Sequence, residues 1–169
     1  MGVKQKSCIS GLVMSSGRLT VLSAVLSAAL SIAALTLALP AHAIDFKSVG
    51  IAPAVLYDAP SEKGRKTFVA PRGMPVEVVL TYGDWTKIRD AGGDLSWIES
   101  KLLSAKRMVV VTAASAKIHA AADESSPLVF AADRGVLLEL SEPIASGWLK
   151  IRHRDGVAGF LKATDAWGD

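Results

Sequence analysis

In this 169-residue chain, the side chains after residue 43 that are best suited to acid-base or metal chemistry are two histidines. His119 and His153 follow the first 43 residues, and no His-x-x-x-His spacing joins them. A zinc site needs three or four ligands, and an α/β-hydrolase needs a Gly-x-Ser-x-Gly elbow, which the sequence lacks. We therefore predict no catalytic residue, no metal site and no cofactor. Both histidines are expected at the surface or at strand ends.

Paired carboxylates could instead support glycoside hydrolysis, which needs two of them facing each other across a cleft. Asp90 with Asp94, and Asp123 with Glu124, are close in sequence. Both pairs fall in predicted turns, where acidic residues are common because they hydrogen-bond the local backbone. Solvated turn residues are the preferred interpretation, and we predict that the protein is not an enzyme.

Aromatic residues are the better candidates for binding, because their rings stack on sugars and on peptide side chains. The candidates for a ligand groove are Tyr57, Tyr82, Trp85, Trp97, His119, Trp148 and Phe160, and Trp167 lies near them. A core role competes with this for Trp85, Trp97, Trp148 and Phe160, because these four recur at matching places in two halves of the chain. Tyr57, Tyr82 and His119 are less closely tied to that pattern.

The two halves repeat one unit of about sixty residues. Residues 85–89 (WTKIR) match residues 148–152 (WLKIR), and Arg72-Gly73 matches Arg134-Gly135. The repeated Arg-Gly could bind a ligand, but the preferred interpretation is a turn glycine beside a solvated arginine. A fixed period of this length indicates a structural unit used twice.

The first 43 residues resemble an export signal. A basic segment precedes an uncharged apolar run at residues 19–39, and small residues stand at Ala41 and Ala43. We predict cleavage before Ile44 and a periplasmic or secreted protein. An uncleaved membrane anchor is the alternative, because the run is long enough to span a bilayer. The Ala-x-Ala site favours cleavage, after which no membrane span is expected.

Removing the signal also changes the charge balance. The chain has 19 lysines and arginines against 16 aspartates and glutamates, and three of the basic residues belong to the predicted signal. The remaining chain is formally neutral, so there is no electrostatic case for a nucleic-acid partner. The only cysteine, Cys8, also lies in the signal. Disulfides and a thiol nucleophile are therefore excluded, and we expect the two units to pack on each other.

Both units have the pattern of short strands separated by turns. In the first we predict strands at 54–57, 76–82, 85–89, 95–98 and 108–111, with a long loop after the first strand. The second unit has the same order, with its long loop at 123–134. We therefore predict an all-β protein of two tandem small β-barrels with about five strands each, at residues 44–112 and 113–169.

The turn and strand sequences resemble bacterial SH3-like domains. In the first unit Gly83-Asp84-Trp85 leads into alternating apolar residues, a glycine turn and Ser96-Trp97-Ile98. The second unit has Gly147-Trp148 and Gly159-Phe160-Leu161 at the matching places. Ser96 stands where the family usually has glycine, and Phe160 where it has tryptophan. The resemblance implies two SH3-like barrels that bind or position a ligand without catalysis, usually peptidoglycan or peptide.

These observations predict an exported, non-enzymatic tandem module that recognises peptidoglycan or peptide segments of envelope proteins. Each barrel would offer an aromatic groove between its long early loop and the turn before Trp85 or Trp148. A different class of function, a structural adaptor or dimerisation protein of the cell envelope with no groove ligand, remains the alternative. An exposed apolar face would favour the adaptor, whereas an aromatic surface with a polar rim would favour the binder.

Overall fold

The computed structural model describes residues 44–169, which form two seven-stranded antiparallel sheets. The strands of the first sheet are β1 (Asp45–Val49), β2 (Ala54–Tyr57), β3 (Lys66–Ala70), β4 (Pro75–Tyr82), β5 (Trp85–Arg89), β6 (Leu95–Glu99) and β7 (Leu103–Ser104). Their order in the sheet is β3-β2-β6-β5-β4-β1-β7. A 3-10 turn at Ser100–Leu102 separates β6 from β7.

The second sheet repeats this topology strand for strand. Its strands are β8 (Met108–Val111), β9 (Ser115–His119), β10 (Leu128–Asp133), β11 (Leu137–Ala145), β12 (Trp148–Arg152), β13 (Ala158–Lys162) and β14 (Ala166–Trp167). A 3-10 turn at Ala163–Asp165 separates β13 from β14. The order β10-β9-β13-β12-β11-β8-β14 is the order of the first sheet with every strand replaced by its counterpart. The all-β, two-unit prediction is confirmed.

The predicted number of strands per unit was too low. The predicted long loops contain β3 and β10, which are hydrogen-bonded edge strands. Four of the five residues of β3 are exposed, so the sequence shows no alternation between buried and exposed positions there. β1 was also missed, and β7 and β14 have only two residues each.

The predicted boundary between the units was wrong for one strand. Residues 108–111 were assigned to the first unit, but β8 pairs with β11 and β14 in the second sheet. Val109 and Val111 are buried in the second core. Four consecutive apolar residues between two barrels fit either of them equally well, so the sequence pattern could not decide.

Each barrel has its own apolar core, built by the two-residue alternation of its strands. In β5, Thr86 and Ile88 point inward while Trp85, Lys87 and Arg89 point outward. The first core includes Leu56, Ile88 and Ile98, and the second includes Ile118, Leu149 and Leu161. Burying each such aliphatic side chain contributes about 1.5–3 kcal/mol. The outward positions are thereby free for other roles.

Contacts between the barrels form a joint near both ends of the described chain. The rings of Phe46 and Trp167 meet edge to face, with centroids 5.0 Å apart. The Arg107 guanidinium lies 5.7 Å from the Phe46 ring centre and donates a hydrogen bond to the Gly168 carbonyl oxygen at 3.1 Å. The Ser48 hydroxyl donates to the Lys106 carbonyl oxygen at 2.7 Å. The two units therefore pack on each other.

The predicted signal peptide and its residues Ala41 and Ala43 lie outside the described residues. Ile44 is the first described residue, and its side chain is exposed. Within residues 44–169, no helix is long and apolar enough to cross a membrane.

Candidate functional site

The outward side of the first sheet carries a group of aromatic side chains, which we call the first aromatic face. Its members are Tyr57, Tyr82, Trp85 and Trp97. They meet because β2, β6, β5 and β4 are successive neighbours in the sheet. Strand pairing places Trp97 between Tyr57 and Lys87, and it places Tyr82 opposite Trp85. Residues opposite each other on one face of a sheet are within contact distance.

The rings of the first aromatic face support one another. Tyr57 and Trp85 meet edge to face at 5.4 Å, with an angle of 87° between their planes. Tyr57 is only 8% exposed, and its buried ring packs against Trp85. Tyr82, at the end of β4, is by contrast 69% exposed. The Lys87 amine lies 5.9 Å from the centre of the half-buried Trp97 ring. The face therefore combines a fixed base, an open aromatic surface and a cation.

Charged side chains surround this face. Arg89 donates to both carboxylate oxygens of Glu77, at 2.9 and 2.8 Å. Glu99 lies opposite Trp85 and pairs with Lys101, and the hydrogen bond that the Lys101 amine donates to that carboxylate raises the pKa of the amine. Lys87 forms no ion pair within residues 44–169. Its amine is therefore available to an anionic group on a ligand.

A second aromatic face lies at the matching place in the second barrel and consists of His119, Trp148 and Phe160. His119 and Trp148 meet edge to face at 5.8 Å, with an angle of 83°. Phe160 pairs with His119 on one side and with Lys150 on the other. His119 is 8% exposed, and its Nδ1 lies 3.0 Å from the Ser126 carbonyl oxygen. An edge-to-face pair therefore occurs at the same position in both barrels, with similar geometry.

The second face differs in its open surface and in its charges. Ala145 lies opposite Trp148, where the first face has Tyr82. Lys150 pairs with Glu142. Lys162, which lies opposite Trp148, pairs with Glu124, and its hydrogen bond lowers the pKa of that carboxyl. Less aromatic surface and the pairing of Lys150 and Lys162 with carboxylates make the second face the weaker candidate.

The predicted groove residues all lie on these two faces, but not with the burial that the sequence suggested. Trp85, Trp97, Trp148 and Phe160 are half-buried, outside the core clusters. Tyr57 and His119 are more deeply buried than these four and form the base of each face. Trp167 lies at the joint between the barrels. Lys87 and Lys150 were missed, although the alternation in WTKIR and WLKIR places them beside the tryptophans.

The histidines have the strand-end positions expected of them. His119 ends β9, and His153 follows β12, with its Nδ1 2.9 Å from an Asp155 carboxylate oxygen. No group of three or more His, Cys, Asp or Glu side chains suited to a metal ion occurs among residues 44–169.

The hairpin turn at Asp155 yields a pH-dependent prediction. The pKa of the Asp155 carboxyl is lowered from its ordinary value of 3.8. The largest cause is the hydrogen bond from the backbone N–H of Val157, and the second is the hydrogen bond with the His153 side chain. A lowered pKa means that the ionised carboxylate stabilises the fold above about pH 4, and that this stabilisation is lost as the pH falls through the folded-state pKa. Asp155→Asn should therefore be less stable than the wild type near pH 7, with the difference shrinking below about pH 4.

Urea unfolding at about pH 7 and about pH 3 would measure this difference. Asp94→Asn is the matched control, because Asp94 lies in the equivalent hairpin of the first barrel and is exposed. Equal losses of stability for Asp155→Asn at both pH values would contradict the assignment.

The fold and its two aromatic faces define a protein of two tandem small β-barrels, each with one exposed aromatic surface on its sheet. Residues 51–105 match the family model of the bacterial SH3 domain, and the first barrel is a member of that family. No curated protein matches the chain.

Several solved structures are similar to the chain. NlpC2 from Trichomonas vaginalis is 10% identical, with 73% of this chain and 47% of that one covered and a TM-score of 0.34. NlpC1 from Trichomonas vaginalis is 11% identical, with coverages of 78% and 48% and a TM-score of 0.34. An NlpC/P60 family protein from Bacillus cereus ATCC 10987 is 17% identical, with coverages of 73% and 56% and a TM-score of 0.34. The chain spans about half the length of these proteins.

Proposed function

We propose that this chain is an exported, non-enzymatic binding module of the cell envelope that recognises peptidoglycan or peptide segments of envelope proteins. The predicted signal peptide, the periplasmic or secreted location and the membership of the second barrel in the same family are parts of this proposal. The observation that carries it is the first aromatic face, where open rings lie beside an unpaired lysine.

The face has the chemistry needed for such a ligand. Trp97 and Tyr82 present ring surface that can stack on a sugar or on an apolar peptide side chain. Lys87 lies over Trp97 and can form a charge-assisted hydrogen bond with a carboxylate of the same ligand. The Arg89 and Glu77 pair, held by two hydrogen bonds, keeps the neighbouring edge of the face in place.

The second barrel extends the binding surface on one rigid body. Its face has the same edge-to-face pair, but Lys150 and Lys162 are paired with Glu142 and Glu124. A weak second site attached to a stronger one raises the effective ligand concentration, so the pair binds a repetitive polymer more tightly than either alone. The first barrel supplies most of the affinity in this arrangement.

Co-sedimentation with insoluble peptidoglycan sacculi tests the proposal, using residues 44–169. We expect Trp97→Ala to weaken binding about tenfold, which corresponds to about 1.4 kcal/mol. Phe160→Ala is the matched control, because Phe160 has the same register in the second barrel, and we expect a smaller loss. Circular dichroism would show that both variants are folded. Equal pelleting of Trp97→Ala and wild type would exclude the first aromatic face as the wall-binding surface.

The structural adaptor is the second candidate, and one observation favours it. The edge strand β3 leaves Phe68 51% and Val69 58% exposed. An exposed apolar edge strand can pair with a strand of another chain. Under this alternative the protein would sediment as a dimer in analytical ultracentrifugation, Val69→Lys would make it monomeric, and sacculi would not bind it.

A further inference from the structure

A cleft of about 410 Å³ opens where the two barrels meet, away from both aromatic faces. We call it the joint cleft, and it is lined by Arg72, Met108, Val136, Leu137, His153 and Arg154. Arg72 comes from the loop before β4 of the first barrel, and the other residues come from the second barrel. Neither barrel could form this cleft without the other.

The two barrels approach each other closely at the edge of the joint cleft. A Cβ atom added to Gly73 would lie 3.3 Å from Met108 Cε and 3.7 Å from Leu137 Cδ1. Gly73 also has a φ of +84°, which favours glycine. The loop that carries Arg72 is therefore held against the apolar side chains of β8 and β11.

The walls of the joint cleft are basic. Arg72 and Arg154 are exposed, and within residues 44–169 neither guanidinium forms an ion pair. His153 also lines the cleft, with its Nδ1 2.9 Å from the neighbouring Asp155 carboxylate, and among residues 44–169 no carboxylate side chain lines the cleft itself. An anionic group would therefore meet two cations that have no internal partner.

The floor of the joint cleft is apolar, because Met108, Val136 and Leu137 line it. A guanidinium presents a planar fork of N–H donors that matches a carboxylate. The volume falls in the range of small-molecule pockets, which begins at about 300 Å³. Basic walls above an apolar floor fit a carboxylate that has a small apolar side chain beside it, rather than an inorganic anion.

We propose that the joint cleft binds the terminal carboxylate of a peptide that ends in small apolar residues such as alanine. Arg72 and Arg154 hold the carboxylate from the two barrels, and Met108 and Leu137 contact the terminal methyl groups. This site does not depend on the aromatic faces. It goes beyond the proposed function by adding a second kind of contact, to a chain end.

Titration of the folded protein, residues 44–169, with N-acetyl-D-Ala-D-Ala and with N-acetyl-L-Ala-L-Ala tests the proposal. Chemical shifts of backbone amides at Met108, Leu137 and Arg154 are the readout. We expect saturable shifts there with at least one dipeptide. Binding of the D form alone would assign the site to wall stem peptides, whereas binding of the L form would assign it to protein C-termini.

The double variant Arg72→Gln with Arg154→Gln should weaken dipeptide binding at least tenfold. Arg134→Gln is the matched control, because Arg134 is the repeat counterpart of Arg72 and does not line the cleft. We expect it to bind like wild type. Both arginines of the double variant are exposed, so the variant should keep the wild-type fold.

Three outcomes would overturn the proposal. These are equal binding of the amidated dipeptide, equal competition by inorganic phosphate, and shifts confined to the first aromatic face. Trp97→Ala should leave dipeptide binding unchanged. Loss of sacculus binding and loss of dipeptide binding at the joint cleft are therefore measured in separate experiments.

Discussion

Phe46→Ala is expected to lower the free energy of unfolding by about 3–5 kcal/mol. Phe46 is 7% exposed, and its ring fills the joint between the barrels, edge to face with Trp167. The substitution leaves a cavity and removes the ring beneath the Arg107 guanidinium.

Urea unfolding followed by tryptophan fluorescence would measure the effect, since Trp167 is the direct neighbour of Phe46. Phe68→Ala is the matched control, because Phe68 is a phenylalanine of the same barrel with half of its surface exposed. We expect that control to lose less than about 1 kcal/mol. A loss for Phe46→Ala no larger than for the control would mean that the joint contributes little to stability.

Gly159→Ala is expected to destabilise the second barrel by about 3 kcal/mol, at the upper end of ordinary overpacking. A Cβ atom at this position would lie 2.8 Å from the His119 carbonyl oxygen and would overlap Cγ2 of Ile118. Ile118 is fully buried, and the His119 carbonyl group is part of the backbone of β9. Neither neighbour can move aside without disturbing the core.

The first barrel provides the comparison for this prediction. Its matching residue is Ser96, which carries a Cβ atom at this position, and its hydroxyl lies 3.2 Å from that of Thr67. Leucine lacks the branch at Cβ that fills the space above Gly159. Ile118→Leu should therefore recover part of the stability lost by Gly159→Ala, whereas Ser96→Ala should cost only about 1 kcal/mol. Thermal unfolding of the wild type, the three single variants and the double variant Gly159→Ala with Ile118→Leu decides this. Additive effects in the double variant would refute the steric explanation.

Much of the fold could be predicted from the sequence because both copies carry the same local signals. The alternation in β5 and β12, and the glycine turns on either side of them, indicate which side chains point outward. Edge strands such as β3 were missed because exposed residues on both sides leave no alternating pattern. The strand β8 was assigned to the wrong barrel because pairing between distant strands decides its place.

The candidate sites divide in the same way. The two aromatic faces could be predicted because their residues recur in both copies and lie on adjacent strands. The joint cleft could not, because it brings a loop before β4 next to a turn after β12. Repetition of Arg72-Gly73 and Arg134-Gly135 suggested equivalent turns. Of these two arginines only Arg72 lines the joint cleft, and the repeated sequence gives no sign of this difference between them.

The contact between Phe46 and Trp167 also has a kinetic consequence. It closes a loop that contains nearly all of the described strands, and the entropic cost of closing a loop rises with its length. The hairpins β4-β5-β6 and β11-β12-β13 involve only neighbouring segments and form at much lower cost. We therefore expect each barrel to fold around its own hairpins before the joint closes, so that the joint cleft is completed late in folding.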